Sequence, residues 1–507
     1  MPLQRSYWFN SFMNFSTNVI VLLVAFFCLP FIVSVLGTES FGLLSILWLF
    51  VGYSATLDAG IGQASVKFVA GSIGSSGSRA ASILQASVLL SLGVGILAGI
   101  GLFALSFADV YSLLNISGGL KDLAQSGIRV MALIPPAVLL QGALKSVPLA
   151  MNRFELANTA LILNGVVQWG GSVVVLLFGG GLLEIVWLTV LARYAGAVVL
   201  LIIAVILLPE VKKLDGSAVV KEIPKILAFG GWVSVSQIAA PLLSFLERFF
   251  IGGLLSLSFV TFFSVPNDLI IRFLAIPMSL VTTLVPSMSG AWNDPARRQS
   301  MWFLYQRSIK FVYLLVVPMT AMIIVLSEDF LTLWLDQEFA AQSALVLQIL
   351  SVGLVFNALA QFPVAALQAV GRPEIPSRVV LAELVLYALL CYYATLMFGI
   401  VGTAVVWAIR VFVEAMVLLW FVQKEMKNVL VDFGHSYVWK SLGCLLPGSF
   451  VLWLAVRGTG DLLTLVVGSI AFILLYGAGV WMFGVDASER RIVGERFTVW
   501  QRGKPQP

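Results

Sequence analysis

The chain has 507 residues, of which 60% are hydrophobic and 11% are charged, and its mean hydropathy is +1.01. These values lie far outside the range of soluble domains and indicate an integral membrane protein. They exclude a basic soluble domain that could bind nucleic acid, although the formal net charge is +5. The cysteines Cys28, Cys391 and Cys444 lie in apolar runs without the spacing of a metal site or a disulfide framework. No metal or cofactor is therefore expected.

Apolar runs long enough to cross a hydrocarbon core of ~30 Å follow one another along the whole chain. The first run is too long for the h-region of a signal peptide and lacks an A-x-A exit, so we expect it to be the first span. The sequence predicts an all-α polytopic protein with about fourteen transmembrane helices. The predicted spans are 12–36, 41–66, 80–107, 123–150, 157–178, 182–208, 226–254, 258–288, 309–334, 340–370, 377–398, 401–422, 438–456 and 462–484.

Lysine and arginine residues cluster in one set of alternate loops between these spans. Among basic residues, the opposite loops carry only Lys121 and Arg457, and they are otherwise acidic. The positive-inside rule therefore predicts that the basic loops, and with them both termini, face the cytoplasm. This bias also accounts for the isoelectric point near 9.1.

The second half of the chain repeats features of the first at an offset of about 218 residues. Charged residues recur at this spacing, which chance alignment of apolar runs does not produce. We expect an N-terminal six-helix lobe at 1–210 and a parallel C-terminal six-helix lobe at 220–430. Two further helices would occupy 431–485, and a cytoplasmic tail 486–507. The matched residues are Ser40 with Ser258, Phe41 with Phe259, Arg153 with Arg372, Glu155 with Glu374, and Arg193 with Arg410.

One long N-terminal stretch and two loops carry a family resemblance. The stretch is LGTESFGLLSILWLFVGYSATLDAGIGQASVKFVAG at 36–71, and the loops are MNRFE after helix 4 and VGRPEIP after helix 10. Together with the fourteen-helix layout, they resemble the polysaccharide transporters of the MOP exporter superfamily, the Wzx-type flippases of lipid-linked oligosaccharides. Ala59 departs from the family, in which a leucine is common at this position.

The resemblance implies a two-lobed, V-shaped cavity lined mainly by helices 1, 2, 7 and 8. It implies transport of an undecaprenyl-pyrophosphate-linked oligosaccharide from the inner to the outer leaflet of the bacterial inner membrane, for surface polysaccharide synthesis. Rocking of the lobes would provide alternating access. The implied partners are the lipid-linked substrate, the bilayer and the polysaccharide polymerase machinery.

Five arginines lie within predicted spans, where ionisable side chains are costly and usually face a water-filled path or a partner. A lipid pyrophosphate cannot enter hydrocarbon cheaply, and guanidinium forks match its oxygens. We expect Arg272 to be the main ligand because it lies near mid-depth on helix 8. The other predicted cavity residues are Arg248, Asp58, Lys67 and Asp268, and the secondary candidates are Arg129, Arg193 and Arg410.

Three of these arginines also have a purely structural explanation. Asp268 and Arg272 are spaced i,i+4 with the acid first, which favours an internal ion pair. Arg410 and Glu414 share that spacing. Arg193, the repeat mate of Arg410, has no such neighbour, and both arginines could tie helices together within their halves.

The remaining candidates have simpler alternatives too. Arg129 and Arg248 lie near predicted outer helix ends, where long side chains can snorkel to water. Asp58 adjoins the small residues of AGIG, which permit close helix contact or a bend. Lys67 ends helix 2 at the predicted cytoplasmic side, as the positive-inside rule alone would require.

Other function classes fit the sequence less well, and we expect a transporter rather than an enzyme. The single histidine, His435, lies in a predicted cytoplasmic loop, and no large outer loop of the kind found in membrane polymerases or ligases is visible. A multidrug or cation antiporter of the same superfamily remains an alternative, but arginines within the spans would repel cationic cargo. The loop after helix 2 lacks the acidic-basic signature of major facilitators.

Overall fold

The computed structural model describes residues 7–73, 77–107, 118–213, 215–274, 278, 281, 295–370, 372, 374–425, 435–458 and 462–484. Within these ranges the chain is helical, with short connections and no strand. Eleven helical stretches in these ranges are long and apolar enough to cross a membrane. The prediction of an all-α polytopic membrane protein is therefore confirmed.

The helices follow the order of the predicted spans. Two π-helical segments, Val167–Gly171 and Val480–Gly484, adjoin α8 and α16. In chain order the described helices are α1 (Tyr7–Leu36), α2 (Thr38–Ile73), α3 (Gly77–Leu105), α4 (Lys121–Met131), α5 (Ile134–Ala150), α6 (Phe154–Ala157), α7 (Thr159–Val166), α8 (Ser172–Leu177), α9 (Leu182–Leu207), α10 (Gly216–Leu254), α11 (Leu257–Phe273), α12 (Pro295–Trp334), α13 (Gln337–Ala369), α14 (Glu374–Glu425), α15 (His435–Gly458) and α16 (Leu462–Gly479).

The longest helix, α14, contains two predicted spans. Its 52 residues are divided at Gly399, where φ is +62° and ψ is −149°. Only glycine adopts this conformation readily, because it has no Cβ. The break coincides with the predicted boundary between 377–398 and 401–422. The eighth predicted span, 258–288, begins as α11, and most of its second half lies outside the described residues.

Two other predicted spans consist of more than one helical segment. The fourth span divides into α4 and α5, and Pro135 lies at the start of α5. Proline is tolerated in the first turn of a helix because the N–H that it lacks has no helical partner there. The fifth span passes from α7 through the π-helical segment Val167–Gly171 into α8. Such a wide turn changes which side chains face the neighbouring helices.

The start of α10 lies outside the predicted spans and has a conventional cap. The backbone N–H groups of Ser217 and Ala218 donate to Oδ1 of Asp215 at 3.1 and 3.3 Å, and the Ser217 hydroxyl donates to the same oxygen at 2.8 Å. The hydroxyl bond comes first among the causes that hold the pKa of Asp215 below its usual value. An aspartate in this position satisfies N–H groups that have no partner within the helix.

The chain forms two compact units. Unit 1 comprises Met1–Val265 and Val380–Thr403, and unit 2 comprises Pro266–Val379 and Ala404–Pro507. Within unit 1, α2 packs against α3, α5 and α10, and α5 also packs against α3 and α9. Within unit 2, α12 packs against α13 and α15, and α15 packs against α16. The predicted lobe boundaries at 1–210 and 220–430 stay a prediction.

The first turns of α2 and α11 contact each other within unit 1. The Thr261 hydroxyl donates to the carbonyl of Thr38 at 2.6 Å, and the Thr38 hydroxyl donates to Ser258 Oγ at 3.2 Å. Gly42 faces the backbone carbonyl of Leu257 so closely that a Cβ at this position would overlap it. The two helices approach at this point because one of them presents no side chain.

Candidate functional site

Arg272 and Asp268 lie one turn apart near the end of the described part of α11. Both side chains are half-buried, and the charge of Asp268 acts on the Arg272 guanidinium. The adjacent Ile271 is 41% exposed, so this turn of the helix reaches the surface of unit 2. The proximity expected from the i,i+4 spacing is present, and the role of Arg272 as a substrate ligand stays a prediction.

Arg248 lies in unit 1 in a buried cluster of polar side chains. It is 7% exposed, and its Nη1 donates to the carbonyl of Ser45 at 3.5 Å. The neighbouring Glu247 is 1% exposed and accepts a hydrogen bond from the Tyr387 hydroxyl. Tyr53 lies within electrostatic reach of both charges. Burial of this kind is not what snorkelling to the interface would produce.

A cavity of about 360 Å³ lies next to this cluster within unit 1. Tyr53 and Phe245, whose rings meet edge to face at 5.7 Å, contribute to its wall. Apart from Tyr53 and Ser54, the wall is formed by apolar residues and one glycine. These are Phe50, Leu57, Ala98, Gly101, Leu102, Leu105, Pro135, Leu242 and Phe245.

The two predicted site residues of the second half of α2 lie in different surroundings. Lys67 is exposed, and its Nζ lies 5.8 Å from the ring centroid of Phe68. Asp58 belongs to the helix, but its side chain falls outside the described residues. A cavity role for either residue stays a prediction.

Arg129 lies in the second half of α4, beside the end of α3. Its Nε donates to Ser106 Oγ at 3.4 Å, and its guanidinium lies 5.2 Å from the ring centroid of Phe107. Phe107 is 65% exposed. This environment matches the interfacial alternative that the sequence offered for Arg129.

Arg193 lies near the middle of α9 in a network of side-chain amides. Its Nη2 donates to Oε1 of Gln168 at 2.8 Å, and its backbone carbonyl accepts from the amide of Gln141. Asn164 Nδ2 in turn donates to Oε1 of Gln141 at 2.8 Å. Gln168 belongs to the π-helical segment between α7 and α8. The network therefore ties α5, α7 and the π-helical segment to α9.

Arg410 forms the internal ion pair that its sequence spacing suggests. Its Nη1 lies 3.2 Å from Oε2 of Glu414, one turn further along α14, and both side chains are largely buried in unit 2. Arg193 has Ala197 at the corresponding spacing. The two repeat mates thus differ in their partners, one a carboxylate and the other an amide.

Sequence reasoning missed the partners that lie on other helices. Gln141, Asn164 and Gln168 are polar residues within apolar runs, and this is the sequence signal that could have identified them. Tyr387 could not be assigned to Glu247, because 140 residues separate them and nothing in either run marks the contact.

The fold and these clusters define a class of protein. A chain of many membrane-spanning helices that keeps arginines inside them has the architecture of a membrane transporter. The sequence model of the family described as "Polysaccharide biosynthesis protein" matches residues 7–292, and the MatE model matches residues 233–393. The first match covers more than half of the chain, so the protein belongs to this polysaccharide biosynthesis family.

Individual relatives agree with this assignment. A Shigella flexneri protein named "Putative O-antigen transporter" is 25% identical over 413 residues, covering 81% of this chain and 96% of the relative. A Haloferax volcanii protein named "Probable low-salt glycan biosynthesis flippase Agl15" is 24% identical over 244 residues, covering 48% of this chain and 51% of the relative. These relatives are named as transporters and flippases, so the expectation of a transporter rather than an enzyme is confirmed.

Solved structures share the fold at low sequence identity. The lipid II flippase MurJ in an inward closed conformation has a TM-score of 0.69 at 14% identity, covering 94% of this chain and 98% of that one. A multidrug resistance MATE transporter of the MOP superfamily, inward-facing, has a TM-score of 0.68 at 16% identity, covering 82% and 96%. Together with the family matches and the Shigella flexneri relative, this shared fold confirms the predicted resemblance to the polysaccharide transporters of the MOP exporter superfamily.

Proposed function

We propose that this protein is a flippase that moves an undecaprenyl-pyrophosphate-linked oligosaccharide from the inner to the outer leaflet of the bacterial inner membrane. The observation that carries the proposal is the family match over residues 7–292, and the similarity to the Shigella flexneri relative over 81% of the chain supports it. The product would serve surface polysaccharide synthesis. The lobes would rock about a central cavity to give alternating access.

The arginines give the proposal its chemistry. A pyrophosphate is an anion that cannot cross hydrocarbon cheaply, so its path must offer cationic donors while the lipid tail stays in the bilayer. Arg272, half-buried with Asp268 one turn away, is the proposed main ligand. Asp268 would restrain the guanidinium until the anion arrives. Arg248, a further proposed cavity residue, lies in unit 1 and donates to the carbonyl of Ser45.

The same proposal assigns the flanking charges to supporting roles. Lys67, exposed on α2, would meet the incoming headgroup at the cytoplasmic side, and Asp58 would belong to the cavity wall. Arg129, Arg193 and Arg410 remain secondary candidates. Both termini would face the cytoplasm, and polysaccharide polymerase machinery would receive the delivered lipid.

Voltage alone could drive the proposed transfer. With the cell interior negative, moving two negative charges outward gains about 4.6 kcal/mol per 100 mV. A coupling ion is therefore not required on energetic grounds.

Reconstitution in liposomes tests the proposal directly. The purified protein should move fluorescent lipid-linked oligosaccharide between leaflets, faster when an imposed potential favours outward movement of negative charge. Protein-free liposomes and heat-inactivated protein are the controls.

The second candidate, a multidrug or cation antiporter, is favoured by the MatE match at 233–393. Efflux of a cationic dye without movement of any lipid-linked sugar would select that candidate.

A further inference from the structure

Arg193 differs from Arg272 and Arg410 in what faces it. Arg410 is paired with Glu414 at 3.2 Å, and Arg272 has Asp268 one turn away. Among the described residues, no carboxylate pairs with Arg193, whose side-chain partner is the neutral amide of Gln168. A guanidinium near the middle of a spanning helix is therefore left without a counter-charge of its own.

The protein satisfies only part of this guanidinium. Nη2 donates to Gln168, whereas Nε is buried and has no hydrogen-bond partner in the part of the chain that the structure describes. Arg193 and Gln168 are both only half-buried, so part of the pair remains accessible. A buried N–H group without an acceptor is costly, and a buried charge without a counter-charge is more so.

The surrounding backbone holds the arginine in place. Gln141 donates to the Arg193 carbonyl, and Asn164 donates to Gln141. Gly196, one turn along α9, permits this approach, because a Cβ there would lie 2.8 Å from Gln141 Nε2 and 2.9 Å from Asn164 Oδ1. The wide turn at Val167–Gly171 carries Gln168 to the guanidinium. Four segments thus converge to position a cation that none of them neutralises.

We infer that Arg193 is the anchor of an anion-binding site within unit 1 that takes an oxyanion of the phosphate class. Gln168 holds the plane of the guanidinium, and the Nη donors that Gln168 leaves free bind the oxyanion at the accessible part of the side chain. The oxyanion supplies the missing negative charge. The oxyanion is either the pyrophosphate of a lipid or a free phosphate species. The first identity rests on the proposed function, whereas the second does not.

The decisive variant is Gln168→Glu, which nearly preserves shape and places a carboxylate where the amide oxygen now lies 2.8 Å from Nη2. It gives Arg193 the internal counter-charge that Arg410 already has. If Arg193 only ties helices together, this variant should bind oxyanions as the wild type does. If Arg193 binds an oxyanion, the new carboxylate must compete with it.

The measurement is the thermal unfolding midpoint of purified protein in detergent, titrated with sodium pyrophosphate against sodium chloride of equal ionic strength. Pyrophosphate should raise the wild-type midpoint. Gln168→Glu should need at least about tenfold more pyrophosphate to reach half of that shift, which is equivalent to 1.4 kcal/mol in binding free energy. Arg193→Gln should keep only the part of the shift that anion binding at Arg272 provides. Gln361→Glu, the same exchange in unit 2 at a glutamine that contacts Asn357, is the matched control and should titrate like wild type. If Arg193→Gln elutes as an aggregate, Arg193→Lys takes its place and should retain a weakened shift.

A second arm replaces the soluble anion with polyprenyl pyrophosphate in mixed micelles. A shift with this lipid assigns the site to a lipid headgroup, and a shift with the soluble anion alone assigns it to a free phosphate species.

A wild type that neither probe shifts, or a Gln168→Glu protein that responds at wild-type concentrations, would overturn the site. If the wild type moves no lipid-linked sugar yet keeps the Gln168-sensitive shift, only the proposed function fails. If wild type and Gln168→Glu move lipid and bind pyrophosphate equally, only this site fails.

Discussion

Arg153, just before α6, contacts Glu155 in the first turn of that helix across 2.6 Å, from Nε to Oε1. Arg372, just before α14, contacts Glu374 at the start of that helix through the same two atoms at the same distance. The sequence had aligned these residues at an offset of about 218. A true repeat would produce such shared geometry, and the repeat itself stays a prediction.

The repeat leads to a prediction about helix order. In a cryo-electron microscopy map, superposing 1–210 on 220–425 should align the first six spans with the next six in chain order, because an even number of spans preserves their direction. Cryo-electron microscopy of the full-length chain provides the measurement. An overlay of the first span on the twelfth would contradict a parallel repeat.

The distribution of lysine and arginine predicts the orientation of the loops. Reporters that fluoresce only in the cytoplasm and enzymes active only in the periplasm, fused at matching positions, measure it. The cytoplasmic reporter should be active after Gly71, Pro209 and Lys427, and the periplasmic one after Gly37, Gly119 and Gly458. One inverted position in the first half would break the fourteen-span topology.

The contact between α2 and α11 should be sensitive to a single methyl group. Gly42→Ala would force the helices apart, because its Cβ overlaps the Leu257 carbonyl, and we expect a loss of about 1–3 kcal/mol in unfolding free energy. Thermal unfolding in detergent measures this loss. Gly52→Ala on the same helix is the control, since its Cβ meets nothing within 4 Å. Equal midpoints for the two variants would show that the contact is not tight.

The break in α14 should depend on backbone conformation rather than on space. At Gly399 φ is +62°, and a Cβ would meet only Leu255 Cδ1 at 3.9 Å. Gly399→Ala should therefore cost about 1–3 kcal/mol through strain alone. Gly443→Ala, in the interior of α15 with open space around it, should be neutral or slightly stabilising. A neutral Gly399→Ala would mean that the helix can close across the break.

Much of the fold could be predicted because apolar runs and their breaks report directly on spans. The boundary at Gly399 coincided with a predicted one, since glycine marks the break in the sequence itself. The π-helical segment Val167–Gly171 could not be predicted, because one extra residue in a turn leaves the run uniformly apolar. That segment nevertheless determines where Gln168 points.

The candidate site was predictable in its charges but not in their partners. Arg410 with Glu414 and Arg272 with Asp268 followed from spacing within one helix. The partners of Arg193 and Glu247 lie on other helices, and only tertiary packing brings them together. Local sequence therefore identifies an intramembrane charge, whereas the fold decides whether that charge is neutralised.

The most direct test of the account is the rate at which liposomes containing Arg272→Ala move lipid-linked oligosaccharide, compared with wild type. We predict normal abundance and thermal stability with abolished transfer, and partial transfer for Arg272→Lys, which keeps the charge without the fork. If the ion pair is structural, Arg272→Ala would instead remove the partner of Asp268 and lower the unfolding free energy by about 3–5 kcal/mol. Removing both side chains would then restore stability. An Arg272→Ala protein that is stable and flips the lipid at the wild-type rate would contradict the account.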